Sequence, residues 1–332
     1  MPSWSTYLKT FIVTVFLSVA LVYLFIVLVD PYDNVPFSLP IERAPISTNR
    51  RFAYPSLARK KDFDSAIIGT STARLLKPER LNQLTGDNWV NLAMNSATAY
   101  EQMQMLELFL RHHVEPKNIV IGIDDAWCHP ANEVQKFTFR PFPPWMYDEN
   151  PWNDLLYLFN DKALENAVRL VEFLSGKRKA KYDRTGYRDF TEDFGEYDLK
   201  IVRERFRSLA KKSLDLSHDD LVVANDEQVT RGRRFTFASH EFLRALSKEH
   251  RITIIFMPLN GSYLAGDKPR YEACKRGVLQ AVSEIPNIRQ IDQMTINAST
   301  LDIENYWDPL HFRTEVAKGL EAAIAQSSER RR

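Results

Sequence analysis

Phe63-Asp-Ser-Ala-Ile-Ile-Gly-Thr-Ser-Thr72 is the stretch on which the reading of this 332-residue chain turns. It is an apolar run the length of one buried strand, broken at Gly69 and followed by three hydroxyl side chains in a row. Pro78 and the Leu-Asn-Gln-Leu pattern after it predict a helix. Beyond that a short strand is expected over 89–92, a helix with apolar residues at helical spacing over 100–113, and a buried strand over 117–123. Strands that alternate with helices at this spacing indicate a parallel sheet covered on both faces. The rhythm returns later, with a helix over 228–249, a strand over 252–257 closed by Pro258, a helix over 271–283, a strand over 288–291 and a last helix over 314–326. The expected fold class is therefore α/β.

Toward the N-terminus, residues 10–29 read TFIVTVFLSVALVYLFIVLV, without a charge. At about 1.5 Å per residue such a run matches a hydrocarbon core of about 30 Å. The alternative, a cleaved secretory signal, fits less well, because the run exceeds the usual length and ends in Leu-Val-Asp-Pro-Tyr without a small-residue cleavage site. Lys9 precedes the run, while Asp30 and Asp33 follow it before Arg43. That bias places the N-terminus in the cytoplasm and the remaining chain in the periplasm or outside the cell, held at a bacterial inner membrane by one pass.

The expected organisation is a flank at 1–9, the anchor at 10–29, a Pro-rich extended stalk at 30–62, an α/β domain at 63–326 and a tail at 327–332. An aromatic, charged insertion at about 131–220 interrupts the domain, with helical stretches at 152–174 and 198–214. Trp145, Trp152 and Tyr157 in it are read as packing residues. With 44 basic and 43 acidic side chains and a formal charge of +1, no global field points to nucleic acid. Cys128 and Cys274 admit either one disulfide or two buried thiols and do not form a zinc pattern. No metal site, cofactor site or phosphate-binding loop is expected.

Three places at the ends of expected strands carry chemistry, where open α/β sheets put their ligand sites. Ser71 follows the first strand, at a helix start that could serve a nucleophile or merely need an N-cap. Asp308 and His311 stand three residues apart before the last helix; a histidine can take a serine proton and a carboxylate can hold its tautomer. The turn at Asn91-Leu-Ala-Met-Asn-Ser-Ala97 offers small residues whose amides could approach a substrate oxygen, with Asn95 as a side-chain donor.

Taken together, Gly69-Thr70-Ser71, Asn91 to Ala97, Gly122-Ile123-Asp124-Asp125 and Asp308 to His311 resemble the four blocks of the SGNH, or GDSL-like, hydrolase superfamily. The likeness is to its membrane-anchored bacterial branch, which includes acyl and acetyl transfer proteins of cell-surface polysaccharide pathways. It covers about residues 63–128 and 250–325. It implies a three-layer sandwich around a parallel sheet, with Ser71, His311 and Asp308 as catalytic triad and Ser71, Asn95, Ser96 and Asp124 at the oxyanion positions. It further implies an acyl-ester donor, a glycan acceptor and a possible membrane protein partner. Three departures stand out. Thr70 holds the family's Asp position, no oxyanion glycine is evident so that Ala93 or Ser96 would serve, and Asp124 replaces an Asn donor. A catalytically inactive scaffold binding a glycan or membrane partner is the alternative.

Overall fold

The computed structural model describes residues 3–113, 115–129, 137–216, 251–283, 285 and 287–329. The helix expected over 228–249 lies outside them. The chain divides into two compact units, Leu57–Phe142 with Thr185–Arg332, and Met1–Ser56 with Pro143–Arg184. The strands are β1 (Ser65–Ile68), β2 (Trp89–Asn91), β3 (Asn118–Ile123), β4 (Arg251–Phe256) and β5 (Ile288–Asp292). Along the chain the helices are α1 (Trp4–Val29), α2 (Arg50–Arg59), α3 (Pro78–Thr85), α4 (Ala99–His112), α5 (Asp125–Cys128), α6 (Asp154–Tyr157), α7 (Asp161–Leu174), α8 (Leu199–Leu216), α9 (Gly261–Gly266), α10 (Lys268–Val282), α11 (Ala298–Leu301) and α12 (Thr314–Glu329).

In the first unit the five strands pair in parallel in the order β2-β1-β3-β4-β5. The chain runs from β1 outward to β2 and then returns to the other side of β1 for β3. The topological switch point therefore lies between β1 and β3, where such sheets form a crevice at their carboxyl ends. Every residue of β1, β2 and β3 is buried, so both sheet faces are covered. On one face Ile67, Val120 and Ile255 join Leu81 of α3 and Ala317, Leu320 and Ile324 of α12 in one apolar cluster. Elsewhere α4 lies against β1, and α5 lies against α10, to which it is bound covalently. The cysteine alternative resolves to a Cys128–Cys274 disulfide across a sequence separation of 146. A loop of that size removes about 5 kcal/mol of chain entropy from the unfolded state.

The second unit corrects the expected stalk and the expected insertion. Residues 30–49 are not a spacer, and Arg50–Arg59 is helical. Tyr32, Val35, Ile46 and Tyr54 are all buried, with contacts that lie far along the chain. The Asn166 amide donates to Tyr32 Oη at 3.1 Å, and Tyr147 Oη donates to the Arg51 carbonyl at 2.9 Å. Val29 and Ile46 pack with Ala167 and Leu170 of α7. The middle of the chain is thus shared: 143–184 completes this unit, whereas α8 and the turn before it belong with the sheet. The helix expected over 152–174 is split at Asn160, whose side chain accepts from Ala163 N at 2.8 Å and so caps α7.

Where α3 and α12 meet, Glu321 is buried. It accepts from Lys77 N at the start of α3 at 2.7 Å, and Arg80 Nε stands 3.2 Å from its other oxygen. Burial pushes this carboxyl up to about 7 against those favourable contacts. Since the folded value exceeds the unfolded one, the stabilisation is complete below about pH 4.5 and fades as pH rises to about 7. Glu321→Gln keeps the acceptor and removes the titration. Its stability relative to wild type should improve by about 1–3 kcal/mol between pH 5 and pH 8, read from denaturation midpoints at both values.

Candidate active site

The site grows out of the strand ends at the switch point. A Cβ at Gly69 would lie 2.5 Å from the Ala73 methyl, so only glycine lets the turn after β1 fold back over the strand. A Cβ at Gly122, near the end of β3, would crowd the same methyl at 3.1 Å. The turn runs through Thr70, Ser71 and Thr72 into a single 3-10 turn at Ala73–Leu75. Ser71 is thereby presented at the crevice, and it does not cap a long helix.

His311 reaches it from the opposite end of the sequence. Ser71 Oγ and His311 Nε2 are 2.8 Å apart across 240 residues, and His311 Nδ1 is 2.7 Å from Asp308 Oδ2. A carboxylate can only accept, so Nδ1 carries the proton and Nε2 is left to accept from the serine hydroxyl. Asp308 Oδ1 also accepts from the amides of Leu310 and His311 at 2.8 and 2.9 Å. Burial works against the Asp308 charge, but the His311 hydrogen bond, its charge and these amides outweigh it and hold the carboxyl below its ordinary value. The Phe190 ring stands edge-on to the imidazole at a centroid distance of 5.3 Å, and the Arg74 guanidinium covers Phe190 at 4.1 Å.

On the other side of Ser71, Asp124 is buried. Its Oδ2 accepts from the hydroxyls of Thr70 and Thr72, the latter at 2.7 Å, and its Oδ1 accepts from Ala126 N at 3.1 Å. Burial pushes this carboxyl up, against the pull of the two threonines. As a carboxylate it supplies no donor. The next residue, Asp125, has Oδ1 held by Tyr271 Oη at 2.5 Å, Arg270 Nη2 at 3.1 Å and Tyr263 Oη at 3.4 Å.

The cleft between these groups, about 330 Å³, is lined by Thr70, Ser71 and Thr72, by Ser96, and by Asp124 and Asp125, with Phe139, Leu259 and Leu310 among its apolar wall. Thr138, also on the wall, has its amide held by buried Glu101 at 3.3 Å. Of the oxyanion candidates, Ser71 and Ser96 line this cleft, and among the described residues neither amide donates to a protein acceptor. Ser96 has φ 50°, the left-handed region, where a non-glycine residue is uncommon. Ala93 is committed, since its amide donates to Asn91 Oδ1 at 3.1 Å. Asn95 lies off the cleft wall, with its Oδ1 accepting from Arg74.

Sequence reasoning quoted Thr72 and Asp125 within their motifs without giving either a role, and passed over Phe190 and Glu101. Only the last had a local signal, the Thr98-x-x-Glu101 spacing, which forms a capping box at the start of α4. No protein-family model matches the chain, and no curated protein is significantly similar to it.

Asp124→Ala would strand two threonine hydroxyls and the Ala126 amide, and is expected to cost about 2–4 kcal/mol in a chemical denaturation series. Asp124→Asn keeps a partner for each neighbour, the amide oxygen accepting from Ala126 N and the NH2 group donating to the two rotated hydroxyls, and should cost less than about 1 kcal/mol in the same assay.

Proposed function

We propose that this chain is a membrane-anchored serine esterase or O-acyltransferase of the SGNH type, moving an acyl group, most simply acetyl, through Ser71 onto water or a hydroxyl of a cell-envelope glycan. The observation that carries this reading is the unbroken relay from Ser71 through His311 to Asp308, at 2.8 and 2.7 Å. Its three residues touch across 240 positions of sequence, which neither a cap nor a surface histidine requires.

The chemistry follows from the relay. The Ser71 oxygen bonds to the ester carbonyl carbon while its proton passes to His311 Nε2, and Asp308 stabilises the imidazolium that forms. As the tetrahedral intermediate collapses, the ester C–O bond breaks and the leaving alcohol takes the proton from Nε2. Water or a sugar hydroxyl then gives its proton to Nε2 and attacks the acyl-serine carbon; as that intermediate collapses the bond to Ser71 Oγ breaks and Oγ takes the proton back from Nε2. The amides of Ser71 and Ser96 are the donors available to the oxyanion. In the cleft, hydroxyl groups and Asp125 suit a polyhydroxy acceptor, because Arg270 already balances the Asp125 charge.

Helix α1 is long and apolar enough to cross a bilayer. The Cys128–Cys274 disulfide supports an exported sheet-bearing unit, since such bonds persist in oxidising compartments. A periplasm-active reporter fused after Arg332 should therefore be active, and one that functions only in the cytoplasm should be silent.

A scaffold without activity draws its support from Asp124, which stands where the resemblance calls for a donor. Labelling of the purified full chain with a serine-directed phosphonate, with turnover of an activated acetyl ester, separates the two. Wild type should label and turn over; Ser71→Ala should do neither, and His311→Ala should lose at least about a thousandfold in rate. Folded wild-type protein that does neither would leave only the binding role.

A further inference from the structure

Helix α1 is exposed at every position from Trp4 to Val22, but Ile26, Val27 and Val29 are buried by residues of its own unit. The covering segments can be placed along the helix by their contacts. Tyr23 Oη donates to the Leu155 carbonyl at 2.7 Å, and its ring packs edge-on against Phe159 at 5.5 Å. Leu39 N donates to the Leu28 carbonyl at 2.9 Å, and Arg43 donates to the carbonyls of Val29 and Asp30, closing the helix end. Two segments, 37–39 and 152–159, therefore lie beside the last two turns of α1.

These segments are apolar on the outside. Leu156 is 78% exposed, Trp152 63%, Phe159 58% and Tyr157 52%, and Phe37 and Leu39 are exposed as well. Phe37 meets Trp152 at a tilt with ring centroids 5.8 Å apart, and Tyr157 stacks on Trp145 at 5.3 Å, so the rings are held in place. Leu, Phe, Trp and Tyr clustered this way are the residues that seat a protein at the boundary between headgroups and acyl chains.

The arithmetic of the helix says what covers them. Counted from Thr10, the first residue after Lys9, the helix has risen only about 20 Å at Tyr23, whereas the hydrocarbon core is about 30 Å thick. A bilayer that begins beyond Lys9 still has roughly 10 Å of depth left where the collar begins. We propose that Met1–Ser56 with Pro143–Arg184 forms a collar sunk into the leaflet at the C-terminal end of α1, with Phe37, Leu39, Trp152, Leu156, Tyr157 and Phe159 as its lipid-contacting rim. The proposal rests on α1 crossing the bilayer and is independent of the chemistry at Ser71.

The test uses the full chain in nanodiscs, with an environment-sensitive thiol dye at one of three exposed positions: Phe16→Cys on α1, Leu156→Cys on the rim and Leu301→Cys on α11 of the sheet-bearing unit. The native cysteines are joined to each other and do not compete for dye. Lipids brominated high in the acyl chain should quench the dye at 156 to at least roughly half the extent seen at 16, with a blue-shifted emission, and leave the dye at 301 unaffected. Quenching at 16 with a dye at 156 that behaves like the one at 301 would overturn the collar while leaving the anchor in place. No quenching at 16 would overturn both.

Discussion

Asp124 sits where the ends of β1 and β3 part, and the bonds it makes decide the shape of the site. One carboxyl oxygen draws in the hydroxyls on either side of Ser71, and the other starts α5 by capping Ala126. The turn that carries Ser71 is thus tied to the adjacent strand, not left to its own backbone preferences. Gly69 and Gly122 make the closure sterically feasible by accepting the Ala73 methyl over both strand ends. The disulfide then pins the far end of α5 to α10. A serine in a three-residue turn would otherwise sample many orientations, and a relay with His311 needs one.

The sheet was readable because its strands are short, apolar and buried on both faces, so Ile67-Ile68 and Ile119 to Ile121 stand out locally. The relay was readable for a different reason. Ser71, Asp308 and His311 each end an expected strand or precede an expected helix, and a parallel sheet brings all such ends to one edge. Topology, unlike spacing, supplied the contact. Phe190 had no comparable signal: nothing in its neighbourhood marks it as a neighbour of His311, which lies beyond two intervening strands.

Residues 30–56 were misread because proline and polar side chains look alike in a spacer and in an irregular packed segment. What distinguishes the two is burial of Tyr32, Ile46 and Tyr54 against residues more than a hundred positions away, and no local pattern encodes that. Aromatic content was the usable clue. Trp145, Trp152 and Tyr157 were all assigned to packing, and each meets another ring, yet Trp152 and Tyr157 are also more than half exposed. Composition reports that aromatic surface exists; it does not report which solvent that surface meets.

Two carboxylates flank the same serine, and their surroundings push them in opposite directions. Asp308 is held below its ordinary value by an imidazole and two amides, whereas Asp124 is raised by enclosure that two threonine hydroxyls only partly offset. The first arrangement keeps a negative charge beside the imidazole of His311. The second disfavours the charge on the group that ties down Thr70 and Thr72 on either side of Ser71. An Asn at that position would add a donor, and a fully charged Asp would add repulsion; a buried Asp tied to Thr70 and Thr72 adds neither in full. The two carboxylates therefore act on different parts of the site, Asp308 orienting His311 and Asp124 fixing the turn that holds Ser71. An acidic residue can stand at that place because every polar neighbour it bonds, the two threonine hydroxyls and the Ala126 amide, donates to it.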